Sequence, residues 1–271
     1  ARGNGVAIAT ETRYLGPVRD GVRTNRGMYG AGFVVNAAGL HADRVAHDYG
    51  FGRDYRILPF KGRYLVSDGA KPGLRTNIYP VPDPRYPFLG VHFTRSAGGA
   101  LKIGPTAVPA LWREQYGGAA GFRFDELVAI GVTEARMFGK NSFGFRNLAL
   151  RELRKQSKRS LLRLAAGLVP DVRRNVGWTW GRPGIRAQLH HVERDALVED
   201  FVIEGDAGSM HILNAVSPAF TCALPFADLV VDGIDRQLSN GRPGAPRERD
   251  RGAQSEEGRK ASSLRPRTLA E

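Results

Sequence analysis

Apolar positions fall mostly into short runs that alternate with polar residues or end at glycine and proline. VAIAT (6–10), GFVVNAAG (32–39), RILPFKGRYLV (56–66), FLGVHFTR (88–95), LKIG (101–104), RAQLHHV (186–192), DFVIEG (200–205) and SMHILNAV (209–216) have strand length and are rich in β-branched or aromatic residues. Helical spacing is rarer and predicts helices over 42–49, 125–138, 151–169 (stopped by Pro170) and 218–232. Asp83 to Pro87, DPRYP, carries two prolines and predicts a turn between strands. Many strands with helices at intervals indicate an α/β (α+β) fold around a large sheet. After Gly233 large apolar residues all but vanish, so 234–271 is expected to be a disordered basic tail.

Composition narrows the classes. Of 271 residues, 42% are hydrophobic and 34 are glycine without a G-x-y period, which excludes a disordered chain and collagen. A single thiol, Cys222, can close no internal disulfide and makes no cysteine-rich zinc pattern, so a reducing, cytoplasmic setting is expected. No run of about 18 apolar residues suggests a spanning helix. The start, ARGNGVAIAT, lacks an initiator Met and a signal-peptide pattern, and reads as a cut into something longer.

Charge is strongly basic: 40 Lys and Arg against 27 Asp and Glu, a net +13. Residues 236–271 hold nine basic and five acidic side chains, +4, which leaves +9 elsewhere. A second concentration is RELRKQSKRSLLRL, residues 151–164. It reads either as the solvated face of a helix or as a surface for an anionic partner. The run has no interleaved aromatics, which disfavours nucleic acid.

Candidate chemistry lies in four places. In FVVNAAGLHADRVA a strand runs into Ala37, Ala38 and Gly39 and then a helix, a tight turn whose small side chains let a ligand near the backbone. Two strand-like stretches gather Lys61, Arg63, Tyr64, Tyr79, His92, Thr94 and Arg95, and alternation puts His92 and Thr94 on one face, able to hold an acidic substrate. Arg186 lies on a strand after a turn of Gly181, Pro183 and Gly184, and an arginine fork can grip a carboxylate at two points. Ser217 and Pro218 form a helix-start signal at the end of a strand, which places a positive helix end there. Each has an ordinary structural reading as well: a βα turn, a surface charge, a core histidine, a capped helix. No P-loop, zincin, nucleophile-elbow or strand–GxGxxG–helix pattern is present, and no metal site is expected.

In this order VVNAAGLHADRVA, PFKGRYL, IYPVPDPRYPFLGVHFTR, GPTAVPA, GIRAQ and HILNAVSPAFTCAL resemble the D-amino-acid-oxidase-like FAD oxidoreductases, and within them the L-2-hydroxyglutarate oxidases and dehydrogenases, over about residues 6–232. The resemblance implies FAD as cofactor and hydride transfer from a small dicarboxylate, L-2-hydroxyglutarate, to the flavin. It implies a partial FAD-binding Rossmann-type domain plus a substrate domain with a large mixed β-sheet, without the N-terminal GxGxxG segment. The expected divisions are 1–50 (returning part of the FAD domain), 51–185 (substrate domain), 186–233 (end of the substrate sheet, then the C-terminal FAD-domain strand and helix) and the tail. Ala37, Ala38, Gly39, Ser217, Pro218, Ala219 and Thr221 would border the cofactor. His92 would serve as base, Arg186 would hold one carboxylate, and Lys61 and Arg95, with Tyr79 and Thr94 nearby, would meet the rest of the substrate. The acceptor, oxygen or quinone, is open, as is peripheral contact with the inner face of the cell membrane. Another FAD-dependent 2-hydroxy-acid or amino-acid oxidase is the alternative within enzymes. A non-catalytic basic module binding membrane or nucleic acid is the alternative outside them.

Overall fold

The computed structural model describes residues 2–68, 74–81, 90–173, 177–215 and 220–240. An antiparallel meander opens it: β1 (Tyr14–Val18), β2 (Gly21–Thr24) and β3 (Gly27–Gly30). Gly21 has φ +150°, and a Cβ there would stand 1.9 Å from the Tyr29 carbonyl oxygen, so only glycine lets β3 approach. The apolar periodicity missed this meander because strands such as GVRT and GMYG carry little apolar surface. The strand expected at 6–10 does not form; that run is irregular, with Val6 and Ile8 about half exposed.

β4 (Val34–Asn36) leads through a 3-10 turn, Gly39–His41, into α1 (Ala42–Asp48). The strands β5 (Tyr55–Gly62), β6 (Leu65–Ser67), β7 (His92–Arg95), β8 (Leu101–Gly104) and β9 (Val108–Pro109) follow. Three helices come next: α2 (Phe124–Lys140), α3 (Phe145–Arg154) and α4 (Lys158–Ala166). The chain ends with β10 (Trp178–Trp180), β11 (Gly184–His191), β12 (Ala196–Leu197), β13 (Val202–Gly205), β14 (Ser209–Asn214) and α5 (Ala223–Asn240).

Among the described residues these strands form four sheets, in the orders β1-β2-β3, β10-β6-β8-β7, β12-β11-β5-β9 and β13-β14-β4. The α/β class stands, but the expected single large sheet is divided into two four-stranded antiparallel ladders. β5 and β6 belong to different ladders and are joined through Arg63 and Tyr64. β4 and β14 make the one parallel pair among the described strands.

Two apolar layers flank the β5–β11 ladder. Ile57 and Leu189 pack with Ala42, Ala46 and Leu213, while Leu58 and Phe60 pack with Met137 and Phe145. A third cluster buries Leu65, Phe93, Ile103 and Trp178 against Leu161 and Ala165 of α4.

Two helix expectations need correction. The helix expected over 151–169 is two: α3 begins six residues earlier and ends at Arg154, and α4 restarts after Ser157, whose Oγ accepts the Ser160 N–H at 3.1 Å. A capping serine inside a basic helical pattern marked that break. α5 begins at Ala223 rather than Pro218 and continues to Asn240, so residues 234–240, expected to be disordered, are helical. Residues 241–271 and the DPRYP turn lie outside the described residues.

Candidate cofactor and substrate site

Because β4 and β14 run parallel, with Ser209 opposite Val34 and His211 opposite Asn36, both leave their sheet at the same edge. That carboxyl edge is where open α/β sheets receive ligands. β4 passes there into Ala37, Ala38 and Gly39, all exposed, and β14 passes toward Thr221. Ser217, Pro218 and Ala219 lie outside the described residues.

The side chain of Asn36 shapes the first turn from below. It is buried; its Oδ1 accepts the Ala38 N–H at 3.1 Å, and its Nδ2 donates to the Ala42 carbonyl at 2.8 Å and lies 3.2 Å from His211 Nδ1. An amide nitrogen only donates, so Nδ1 of His211 accepts and its proton sits on Nε2, 3.0 Å from Ser209 Oγ. His211 is fully buried between Tyr49 and Phe51, with ring centroids 4.9 and 5.1 Å away, and burial holds its pKa below the usual histidine value. The Ala38 N–H is therefore committed to Asn36. What the turn presents outward is small side chains and, at Gly39 (φ +53°), open space where a Cβ would stand. Ala38 borders a cavity of about 730 Å3, shared with Arg13, Tyr14, His41 and Arg44, a volume suited to a small-molecule ligand.

A buried ion pair fixes the helix that follows. Arg113 Nη1 and Nη2 fork onto the two carboxylate oxygens of Asp43 at 2.7 and 2.8 Å. Asp43 also accepts the backbone N–H of Ile57 and of Arg44. Thus α1, β5 and the chain beyond β9 are tied at one point, a few residues from the Ala37–Gly39 turn.

His92 lies on β7, buried, opposite Gly104. Its Nδ1 is 3.0 Å from the Gly90 carbonyl, an acceptor, so Nδ1 carries the proton and the lone pair is on Nε2. Burial lowers its pKa, with the Gly90 hydrogen bond acting the other way. Tyr79 stacks on the ring at 4.5 Å, and the Tyr64 ring fills the space over Gly104, 2.8 Å from where a Cβ would stand. Alternation puts Thr94 on the His92 face, opposite Lys102, and Arg95 on the other, where its backbone N–H takes Asn77 Oδ1. His92, Thr94 and Tyr79 are thus gathered as expected, and Arg95 is not.

The two remaining cations separate as well. The β5–β11 ladder pairs Arg186 with Phe60 and Ile185 with Lys61, so Lys61 and Arg186 project to opposite faces. Lys61 has its pKa lowered by burial and then by the neighbouring Arg63, itself stacked 3.8 Å over the Trp180 ring. Partial burial lowers the Arg186 pKa, though the residue still reaches solvent. The three-cation clamp expected from the sequence is not a single-face arrangement, because alternation along a strand reverses at every residue. Asn36, His211 and the Asp43–Arg113 pair were missed as site-shaping residues. The available signal was a polar side chain inside an otherwise apolar strand run, which a folded chain keeps only when it is hydrogen-bonded.

A bare turn at the carboxyl edge of a parallel pair, packed against the antiparallel β5–β11 ladder, is an α/β arrangement able to receive a small ligand at that edge. The chain belongs to the FAD dependent oxidoreductase (DAO) family, whose model matches residues 1–233. It is 35% identical over 214 residues to the L-2-hydroxyglutarate dehydrogenase of Indibacter alkaliphilus, covering 78% of this chain and 52% of that protein. It is 38% identical over 213 residues to the mitochondrial L-2-hydroxyglutarate dehydrogenase of Nematostella vectensis, covering 74% and 44%. The chain therefore spans about half the length of these relatives. Among solved structures, L-alpha-glycerophosphate oxidase from Mycoplasma pneumoniae with FAD bound superposes with a TM-score of 0.58 at 20% identity, covering 86% of this chain and 53% of that one. Glycine oxidase from Geobacillus kaustophilus gives 0.54 at 20%, covering 83% and 48%. These two share the fold. No helix among the described residues is long and apolar enough to cross a membrane.

Proposed function

We propose that this chain carries the substrate sheet and part of the FAD site of an enzyme that oxidises L-2-hydroxyglutarate to 2-oxoglutarate. The observation carrying the reading is the 35–38% identity to proteins of that named activity, across most of this chain. The residues present fit the cofactor: the Ala37–Gly39 turn is bare, Gly39 has open space beside it, and a cavity adjoins Ala38. Ala37, Ala38, Gly39 and Thr221, with Ser217, Pro218 and Ala219, would border FAD, which when bound supplies the hydride acceptor.

The rest is work for the chain's own side chains. His92, neutral and with its Nε2 lone pair free of partners among the described residues, is suited to take the hydroxyl proton from C2. Arg186 offers a fork for one carboxylate, and Lys61 and Arg95 are the weaker claimants for the other, since the ladders turn them to other faces. Tyr79 and Thr94 border the His92 ring and its face. Oxygen or a quinone would reoxidise the flavin. The domain division near residue 50 belongs to the same proposal; those expected at 185 and 233 fall inside β11 and α5, which carry the boundaries to the ends of those elements.

The test is the purified chain supplied with FAD and L-2-hydroxyglutarate, with 2-oxoglutarate measured as product, alongside His92→Gln. The expected result is 2-oxoglutarate formation with the L enantiomer, reduced on the order of a hundredfold or more in the variant at unchanged FAD affinity. Oxidation of glycine or glycerol phosphate in its place would overturn the substrate. Full activity in His92→Gln would remove His92 as base.

A further inference from the structure

We propose that Asn36 and His211 are a positioning pair for the cofactor turn, and that the turn holds its shape toward FAD only while His211 is neutral. The inference rests on the cofactor reading above and deepens it. Both side chains are buried beneath the Ala37–Gly39 turn and act through its backbone. The parallel register of β4 and β14 sets His211 directly opposite Asn36. Asn36 Oδ1 accepts the Ala38 N–H at 3.1 Å, while Nδ2 donates to the Ala42 carbonyl at 2.8 Å and to His211 Nδ1 at 3.2 Å. One amide thus ties the turn to the first residue of α1 and to the neighbouring strand.

This set of hydrogen bonds admits a single protonation state. A proton on Nδ1 of His211 would face Nδ2–H of Asn36, donor against donor. Turning the amide over removes that conflict but creates two more: Oδ1 would meet the Ala42 carbonyl, and Nδ2 would meet the Ala38 N–H. Either outcome loses a hydrogen bond beneath the turn, and two alanines and a glycine at φ +53° have no polar side chain to replace it. Around the ring, Ser209 Oγ lies 3.0 Å from Nε2, Tyr49 at the end of α1 and Phe51 pack against it, and Asp206 and Glu204 of the β13–β14 hairpin favour the charged form. Burial outweighs both carboxylates, so the ring takes its proton only below the usual histidine range. FAD carries no group that titrates near neutrality, but His41, which borders the same cavity as Ala38 and lies 3.0 Å from Glu114, is a second imidazole within reach. Variants must therefore assign the effect to His211.

The experiment follows FAD affinity of the full 271-residue chain by flavin fluorescence from about pH 8 to 5, beside His211→Gln and Asn36→Ala, with circular dichroism confirming that each is folded. In the parent, affinity should fall as pH drops below about 6.5, by up to tenfold per pH unit, the limit for one proton. Glutamine at 211 offers a carbonyl that accepts from Asn36 and does not titrate, so this slope should vanish in His211→Gln. Asn36→Ala should bind FAD roughly tenfold or more weakly at about pH 8. Amide exchange in the FAD-free chains gives a readout independent of the ligand. Protection of the Ala38 N–H should fall with acid in the parent, hold in His211→Gln and be lost in Asn36→Ala. A flat parent profile, the same acid slope in parent and His211→Gln, or parent-like FAD affinity in Asn36→Ala would overturn the proposal and leave the cofactor reading standing. A parent chain that binds no FAD would overturn the cofactor reading, and this inference with it.

Discussion

Asp43 shows how a charge that looks like surface decoration in the sequence can be internal. HADRVA and LWREQ read as polar positions of a helix and a loop, yet Asp43 is wholly buried against the Arg113 fork, a contact between residues 70 positions apart. Burial by itself would raise the carboxyl pKa; the hydrogen bonds and charge of Arg113, with the N–H groups of Ile57 and Arg44, hold it below the usual carboxylate range. A depressed carboxyl contributes stability that is present above its unfolded value and lost as pH falls through the folded one. Asp43→Asn leaves the Arg113 charge buried without a counter-ion and should cost about 3–5 kcal/mol near neutral pH. The gap between the melting curves of the two proteins should hold down to about pH 4 and close only below it, and a gap that stays constant well below that pH would count against the pairing. His92 was legible where Asp43 was not: an imidazole alternating with Thr94 on a short strand announces its face, whereas the partner of Asp43 depends on the tertiary fold.

At the level of elements, legibility followed apolar content. β8 coincides with LKIG, β13 and β14 fall within their expected runs, and β5 and β11 overlap theirs but start one and two residues earlier; β5, β8, β11 and β14 each bury apolar residues. The β1–β3 meander was invisible because its ladder rests on backbone hydrogen bonds and on Gly21, not on an apolar stripe. The α3–α4 junction was legible in principle. Helical spacing continues through 151–164, but Ser157 adopts extended backbone with φ −91° and ψ 139° and satisfies the Ser160 N–H, so the helix is stopped and restarted there. Ser157→Ala should destabilise the protein by about 1 kcal/mol through loss of this cap. A denaturant titration reads it as a lower midpoint at unchanged slope. An unchanged midpoint would mean that packing of Leu161 and Ala165 alone sets the start of α4.

For the molecule as a whole, three of the six histidines share one electrostatic situation. His92, His190 and His211 are buried, and burial is the leading cause that lowers each pKa; at His190 the neighbouring Asp195, 3.1 Å from Nε2, acts in the opposite sense and is outweighed. They sit in different ladders, on β7, β11 and β14, so the behaviour belongs to no single element. An unfolded chain takes up protons on these rings near pH 6.5, while the folded chain refuses them until lower pH. Stability should therefore fall as pH drops below about 6.5, by up to about 1.4 kcal/mol per pH unit for each ring. This loss begins well above the range in which Asp43 titrates. Sequence alone could count these histidines but not assign the sign, since an exposed histidine beside a carboxylate would act the other way. Urea midpoints measured between about pH 7.5 and 5.5 check it, together with the protons absorbed on unfolding. A midpoint that holds steady across that interval, with no proton uptake, would mean that the folded rings titrate as they do in the open chain, and the neutral His92 required of a base near pH 6 would lose its support.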